Sequence, residues 1–411
     1  MLTVAEHRSA VLRLVAPLGT VEVPVEEADG LVLAAEVRTT SALPRWDNSA
    51  MDGYAVRAAD LAGASSESPV TLRVLADLAA GSAAEPEVRA GTAARIMTGA
   101  PVPPGADAVV PVERTDGGIR TVRVGEAPVV GAHIRRTGED AAAGDLVLAR
   151  GTLLGPAQVA AAAAAGAGRL TVHRRPRVAV LSTGSELVPP GGPLPRGRIP
   201  DSNSFLLAAA VRAAGCDVVR LGAVPDDAVV LRAALADLDG AVDAVVTSGG
   251  VSMGAYDVVK EVLAGQAGMA FVQVAMQPGK PQGLGTLPHG TPVLALPGNP
   301  VSAFVSFEVF VRPALLRMRG LSDLDRPEVT GVVADGWTTP PGRAQYMPVV
   351  LDVPALRSDA DGLPQVRRAV SGGSGSHLVA GLALAQGLAV VDADVERVEP
   401  GDRVRVMRVD R

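Results

Sequence analysis

The sequence is short of several things at once. It holds one cysteine, Cys216, in 411 residues. No internal disulfide can form, and a reducing cytoplasm is the expected compartment. The apolar neighbours of Cys216 mark it as a small buried side chain. Aromatic residues make up 2% of the chain, so alanine, valine and leucine must fill the core, and the stacking platforms of nucleic-acid surfaces are missing. Lysine is nearly absent: of 38 basic residues only Lys260 and Lys280 are lysines, and the rest are arginines. The net charge of −6 and isoelectric point near 5.5 also exclude a nucleic-acid partner. Long apolar runs are lacking too. The longest, Val159 to Ala167, falls far short of the ~20 residues that span a bilayer. No signal peptide is read in the polar start, Met1-Leu-Thr-Val-Ala-Glu-His-Arg. No membrane partner is expected. The five histidines (His7, His133, His173, His289 and His377) are scattered without paired spacing, which excludes an ordinary zinc or iron site built on histidine.

What is present is a globular composition, 48% hydrophobic and 20% charged, with 46 glycines and 32 prolines. A chain this long divides into two to four domains. Ala5 to Leu18 has helical spacing, and from Leu43 to about Asp140 short β-type runs alternate with Gly, Pro and Asp. These runs include Val70–Leu75, Ala93–Met97 and Ala108–Val112. Ala157 to Ala165 reads as an alanine-rich helix. From Arg177 strands and helices alternate. The strands are Val178–Leu181, Asp217–Leu221, Ala244–Val246, Ala270–Ala275 and Val293–Leu296. The helices are Ser204–Ala214, Asp227–Leu238, Asp257–Leu263 and Val301–Met318. Continuous apolar strands between helices predict a parallel sheet covered on both faces. After Gly320 only short strands follow, at Tyr346–Val350, Gly387–Val391 and Arg403–Val409, which predicts a small β-barrel or sandwich.

The polar residues fall after the strands. Ser182-Thr183-Gly184-Ser-Glu186 follows the first, Pro225-Asp226-Asp227 the second, and Thr247-Ser248-Gly249-Gly250-Val-Ser252-Met-Gly254 the third, with Asp257 beyond it. Gln277-Pro-Gly-Lys280-Pro281 follows the fourth and Pro297-Gly298-Asn299-Pro300 the last. In a parallel sheet these loops share the carboxyl edge, where open α/β sheets bind ligands. The Gly-rich third loop can present successive N–H groups to an anion. Asn299 and Pro300 read as the cap and first residue of the final helix, whose N-terminus also favours an anion. The acids Glu186, Asp226, Asp227 and Asp257 have two readings: helix caps and solvated turns, or carboxylates that hold Mg²⁺ against phosphate oxygens.

At these loops the sequence strongly resembles the molybdopterin molybdenumtransferase family, which includes the C-terminal part of gephyrin. The motifs are Asp47-Asn-Ser-Ala-Met-Asp52-Gly-Tyr-Ala-Val, Arg95-Ile-Met-Thr98-Gly-Ala-Pro101 and Ile134-Arg135-Arg-Thr-Gly-Glu-Asp140. They continue with the loops above, ending in Leu296-Pro297-Gly-Asn-Pro300-Val-Ser-Ala, so that the match runs nearly end to end. The resemblance implies a multidomain α/β plus β protein. Residues 1–42 with 141–175 would form an elongated domain I, and 43–140 a β-rich domain II. Residues 176–321 would form a doubly wound parallel-sheet molybdopterin-binding domain III, and 322–411 a C-terminal β-barrel domain IV. It also implies insertion of molybdate into the dithiolene of adenylylated molybdopterin, with release of AMP and help from Mg²⁺ or Zn²⁺. The active unit would be a homodimer with a shared site, in transient contact with the adenylyltransferase and with apo-molybdoenzymes.

Carried over motif by motif, Asp52, Thr98, Arg135 and Asp140 would supply the domain II side. Glu186, Asp226, Asp227, Asp257, Lys280, Pro297 and Pro300 would supply the α/β side, with Arg343 and Ser376 from the C-terminal region. Asp52, Thr98, Asp140, Glu186, Asp257 and Lys280 are the expected catalytic set, with Asp52, Asp140, Asp257 and Glu186 as metal ligands. Thr183, Gly184, Ser248, Gly249, Gly250, Ser252, Gly254, Gly298 and Asn299 would bind substrate together with Arg135, Asp226, Asp227, Pro297, Pro300, Arg343 and Ser376. One departure stands out: Gln277 occupies a position where the family usually has lysine. Two alternatives remain at this point, a molybdopterin adenylyltransferase or a non-enzymatic gephyrin-like scaffold. The flanking motifs weigh against the first and the lack of a long linker against the second.

Overall fold

The computed structural model describes residues 1–251, 257–265, 268–352, 362–370, 375 and 377–410. The predicted site residues Ser252, Gly254 and Ser376 lie outside them. The chain divides into two compact units, one of residues 1–21, 30–34 and 172–411 and one of residues 22–29 and 35–171.

The larger unit begins with the helix Val4–Arg13, started by a capping box in which Thr3 and Glu6 each bond the other's backbone N–H. Its Val11 and His7 are buried, His7 edge-on to Phe310 with ring centroids 4.6 Å apart. The α/β part is a six-stranded sheet, ordered Asp217–Val224, Arg177–Thr183, Ala244–Ser248, Pro292–Leu296, Pro281–Thr286, Ala270–Gln273. The first four pair in parallel. Pro281–Thr286 runs antiparallel to both its neighbours. This strand was not foreseen in the sequence: Pro-Gln-Gly-Leu-Gly-Thr has neither alternation nor a β-branched run. Because it reverses direction twice over, Ala270–Gln273 points the same way as the parallel strands, and its following loop joins theirs at the carboxyl edge.

Helices cover both faces, as a doubly wound sheet requires. Asn203–Ala213 buries Leu207 and Val211 in one core with Val178, Val180 and Val246. On the other face Ala228–Leu238 buries Leu231, Leu235 and Leu238 with Val258 to Leu263 of the next helix. Each such leucine contributes roughly 1.5–3 kcal/mol by leaving water. The last helix is Pro300–Ser306 continued by Arg312–Met318, with a π-turn, Phe307–Val311, between them.

The C-terminal strands close into a ring. Ala344–Asp352, Gln365–Arg368, Glu328–Val333, Arg403–Arg408 and Gly387–Val391 pair in that order, and the last returns to Ala344–Asp352. This is the expected barrel, filled by Val349, Val366, Ala389 and Val406. Ala270–Gln273 and Pro281–Thr286 form the ligand hairpin, and a short strand in its turn, Met276–Gln277, also pairs with the barrel, at Ala344 and Gln345.

The smaller unit holds a five-stranded sheet ordered Ala108–Pro111, Gly53–Val56, Thr92–Ile96, Val70–Leu78, Thr121–Val124. Three of its strands match the β-type runs read from the sequence. Gly53 sits where a Cβ would lie 2.0 Å from the Val110 carbonyl oxygen, so no other residue fits. Among the described residues no helix is long and apolar enough to cross a membrane.

Candidate functional site

The carboxyl edge of the sheet opens into a cleft of about 1580 Å³ lined by residues between Thr183 and Val379. All five predicted loops reach it. From the sheet come Thr183, Gly184, Glu186, Asp226, Ser248, Gly249, Gly250, Asp257, Lys280 and Pro297 to Pro300. The barrel adds Trp337, Arg343, Gln345, Arg368 and His377. Among the described lining residues the cations are thus Lys280, Arg343 and Arg368, and the acids are Glu186, Asp201, Asp226 and Asp257.

Local chemistry explains how each loop is held. Thr183 ends its strand, and its Oγ1 is buried without a partner. Gly184 makes room for the Glu186 carboxylate, whose Oε2 would lie 2.6 Å from a Cβ placed there. Asp226 is tied to the same turn, accepting from the Ser185 N–H at 2.8 Å, while Ser185 Oγ accepts from the Asp226 N–H at 3.1 Å. Gly249 adopts φ +96° and would bring a Cβ 2.6 Å from the Thr183 carbonyl oxygen. Glycine is needed there both for the backbone and for the space.

Asp227 is placed differently from its neighbour. It is the N-cap of Ala228–Leu238 and accepts from Val229 N–H at 2.7 Å and Val230 N–H at 3.2 Å. It does not line the cleft, and its helix-cap reading is the one the geometry realises.

In the smaller unit Asp52 and Thr98 are brought together. Asp52 Oδ1 accepts from the Thr98 backbone N–H at 2.6 Å and from Thr98 Oγ1 at 2.7 Å. These bonds, the backbone one first, hold the exposed Asp52 carboxyl below the usual aspartate range. Arg135 is exposed on the short strand Ile134–Arg135, paired with Asn48–Ser49. Asp140 is exposed, its backbone N–H donating to the Leu43 carbonyl. The two motifs are clasped by Asp47, which the sequence reading had not singled out. Asp47 accepts from the Thr137 N–H, Thr137 Oγ1 and Arg136 Nη1 at 2.7, 2.9 and 2.7 Å. Its carboxyl is lowered chiefly by the Thr137 N–H and the Arg136 bond.

Sequence reasoning also missed Asn203, Arg368, Gln345 and His377. Asn203 stands in the run Ile199-Pro-Asp201-Ser-Asn203-Ser204 and reads as an ordinary helix start. Gln345 and Arg368 carry no motif and reach the cleft on strands of the ring, while His377 lies outside those strands. Among the described residues no group of three or more His, Cys, Asp or Glu converges as a ready metal cage.

Comparison with known proteins agrees with this geometry. Residues 2–166 match a family model described as the MoeA N-terminal region (domain I and II). Residues 179–317 match a probable molybdopterin binding domain, and 330–409 the MoeA C-terminal region (domain IV). The chain is 46% identical over 412 residues to molybdopterin molybdenumtransferase 2 of Mycobacterium tuberculosis, covering 99% of each. It is 37% identical over 424 residues to molybdopterin molybdenumtransferase 1 of the same organism, covering 99% of this chain and 98% of the other. The crystal structure of the molybdopterin biosynthesis MoeA protein from Pyrococcus horikosii superposes with a TM-score of 0.80 at 31% identity, covering 99% of both chains.

Proposed function

The chain belongs to the molybdopterin molybdenumtransferase family and is a transferase of molybdenum cofactor biosynthesis, and from that premise we propose that it inserts molybdate into the dithiolene of adenylylated molybdopterin and releases AMP. Full-length likeness to molybdenumtransferases, with both flanking regions matched, sets aside the stand-alone adenylyltransferase. The observation that carries the finer reading is the cleft itself, where glycine-lined loops, hydroxyls, four acids and Lys280 from the α/β part meet Arg343 and Arg368 from the barrel region.

Each residue type has a task there. The backbone N–H at Gly250 and the N-terminus of the final helix at Asn299 and Pro300 suit phosphate oxygens, while the Gly249 N–H donates to the Leu296 carbonyl at 3.1 Å and holds the loop. Thr183, Gly184, Ser248, Pro297 and Gly298 shape the floor around them. Lys280 and Arg343 offer charge-assisted hydrogen bonds to an oxyanion such as molybdate. Hydrolysis adds water across the phosphoanhydride, and AMP and the pterin phosphate leave as separate products. The two dithiolene sulfurs then replace oxygen ligands of molybdate, which depart as water.

The donor set fits a hard cation. Glu186, Asp226 and Asp257 offer only oxygens, and Mg²⁺ completes its shell with water and substrate phosphate, so it needs no cage of three acids. Bound there, Mg²⁺ would neutralise charge on the phosphoanhydride; a zinc ion in its place would have the same carboxylates and His377 to draw on among the described lining residues. Asp52, Thr98, Arg135 and Asp140 act in this reading from the partner copy of a cytoplasmic homodimer. The product then passes to apo-molybdoenzymes.

The test is purified protein given adenylylated molybdopterin, molybdate and Mg²⁺. AMP should appear together with cofactor that activates an apo-molybdoenzyme. AMP formed only from ATP would replace this reading with adenylyl transfer.

A further inference from the structure

Two buried carboxamides hold the cleft's loops in the same way. Asn203 is 8% exposed, at the start of the helix Asn203–Ala213. Its Nδ2 donates to Ser248 Oγ at 2.7 Å and to the Gly298 carbonyl at 2.6 Å. Gln282 is 1% exposed, in the strand Pro281–Thr286. Its Nε2 donates to the Gly279 carbonyl at 2.6 Å and to Ser306 Oγ at 2.7 Å. Each amide therefore spends both N–H groups on one serine hydroxyl and one loop carbonyl. A carbonyl only accepts, so the NH₂ end must face it, and the orientation of both amides is fixed by chemistry.

The bonds join elements distant in sequence. Asn203 links the Ser248–Gly250 loop to the Pro297–Pro300 loop. Gln282 links the turn that carries Lys280 to the final helix. Neither residue is needed where it stands for the covering of the sheet. A leucine would bury more apolar surface, and the Asn203 Oδ1 is left buried without a partner, a cost that a purely structural site would avoid.

We infer that Asn203 and Gln282 are positioning residues, two amide pins that set the three ligand loops in register for oxyanion and nucleotide binding. This rests on the functional reading above and adds to it the groups that act through Ser248, Gly298 and Gly279. The pins work by donating. A carboxylate in the same place has no hydrogen to give, whereas a carboxylic acid regains one donor. Burial disfavours the ionised form and raises the pKa of such a carboxyl above the usual ~4. A pin replaced by its acid should therefore fail at high pH and recover as pH falls.

The experiment compares Asn203→Asp, Asn203→Leu and Gln282→Glu with the unaltered protein between pH 5.5 and 8.5. AMP binding is followed by calorimetry and the KM for molybdate by AMP release, each as a ratio to wild type at that pH. Asn203→Asp should weaken AMP binding by about tenfold at pH 8.5, the worth of one lost buried hydrogen bond, and approach wild type at pH 5.5. Asn203→Leu should be weak at every pH. Gln282→Glu should show the same pH-dependent defect in the molybdate KM. Melting temperatures give a second readout that needs no ligand: both acid variants should gain on wild type as pH falls. Ratios that do not change with pH in either acid variant, by binding and by melting, overturn the inference. If wild type binds no AMP while the acid variants still show the melting trend, the pins stand and the functional reading falls.

Discussion

Lys280 offers the sharpest test of the cleft's electrostatics. In a chain with two lysines and otherwise only arginine as strong cation, a loop lysine points to a need for a compact ammonium rather than a planar fork. The structure puts Lys280 on the ligand hairpin, partly exposed and lining the cleft, whereas Lys260 lies in the helix Val258–Leu263 and is not among the lining residues. Gln277, where the family usually has a second lysine, lines the same hairpin and brings no charge. Lys280 is then one of three described cations on the cleft, and the single one from this loop. A hydrogen bond to a charged group is worth ~1.5–3 kcal/mol. At about 1.4 kcal/mol per decade, Lys280→Gln should lower kcat/KM roughly 10–100-fold. Melting should hardly move, since the side chain supports no core. Lys280→Arg should also be impaired, because the fork cannot occupy the ammonium's position. Lys260→Gln should be nearly silent and Gln277→Ala should cost no more than a few-fold. Steady-state AMP release measures all four. Unchanged kinetics in Lys280→Gln, or a larger loss in Gln277→Ala, would refute the argument.

Other outcomes follow from single contacts. Asp227→Ala removes a cap that satisfies two N–H groups, so it should cost about 0.5–2 kcal/mol in urea unfolding while the KM for molybdate stays near wild type. Asp226→Ala should do the reverse. His7 is held neutral by burial, its pKa pushed down to about 4 from 6.5. The folded chain thus resists a proton that the unfolded chain accepts, so this stabilisation is complete above pH 6.5 and lost as pH falls towards 4. The difference is at most roughly 3 kcal/mol, and His7→Leu should flatten that part of the stability–pH curve; an unchanged slope argues against it. Mixing inactive Asp52→Asn and Glu186→Gln chains should restore one working site per heterodimer, and continued inactivity after demonstrated subunit exchange would assign each site to one chain.

The α/β part was legible because its signals are local. Apolar strands, capped helices and glycine loops recur in order, and Asp217–Leu221 and Asp227–Leu238 differ from the structure by a few residues at most. The strand Pro281–Thr286 was not, because its residues suit close packing rather than β propensity. A Cβ at Gly283 would meet Ala295 and Phe271 at 2.9 Å, a constraint that exists only once the neighbouring strands are present. The site divides along the same line. Loop residues such as Glu186 and Lys280 announce themselves by type and place. Asn203 and Gln282 do not, since a polar residue near a helix start or in a short strand looks ordinary until its partners arrive from elsewhere in the chain. Arg343 is reached only through the family resemblance, and Arg368 depends on how the barrel closes.

That closure has a mechanical side. Every strand of the ring has two neighbours, so none can peel away without breaking two ladders. The strand Ala344–Asp352 carries a further load, since Ala344 and Gln345 also pair with Met276 and Gln277 in the turn of the ligand hairpin. The hairpin is thereby bolted to a stiff cylinder. Any widening or narrowing of the cleft that shifts Lys280 must either shear this short ladder or swing the whole barrel as a lever. Ring and hairpin should therefore share one amide-exchange rate class, slow together and released together.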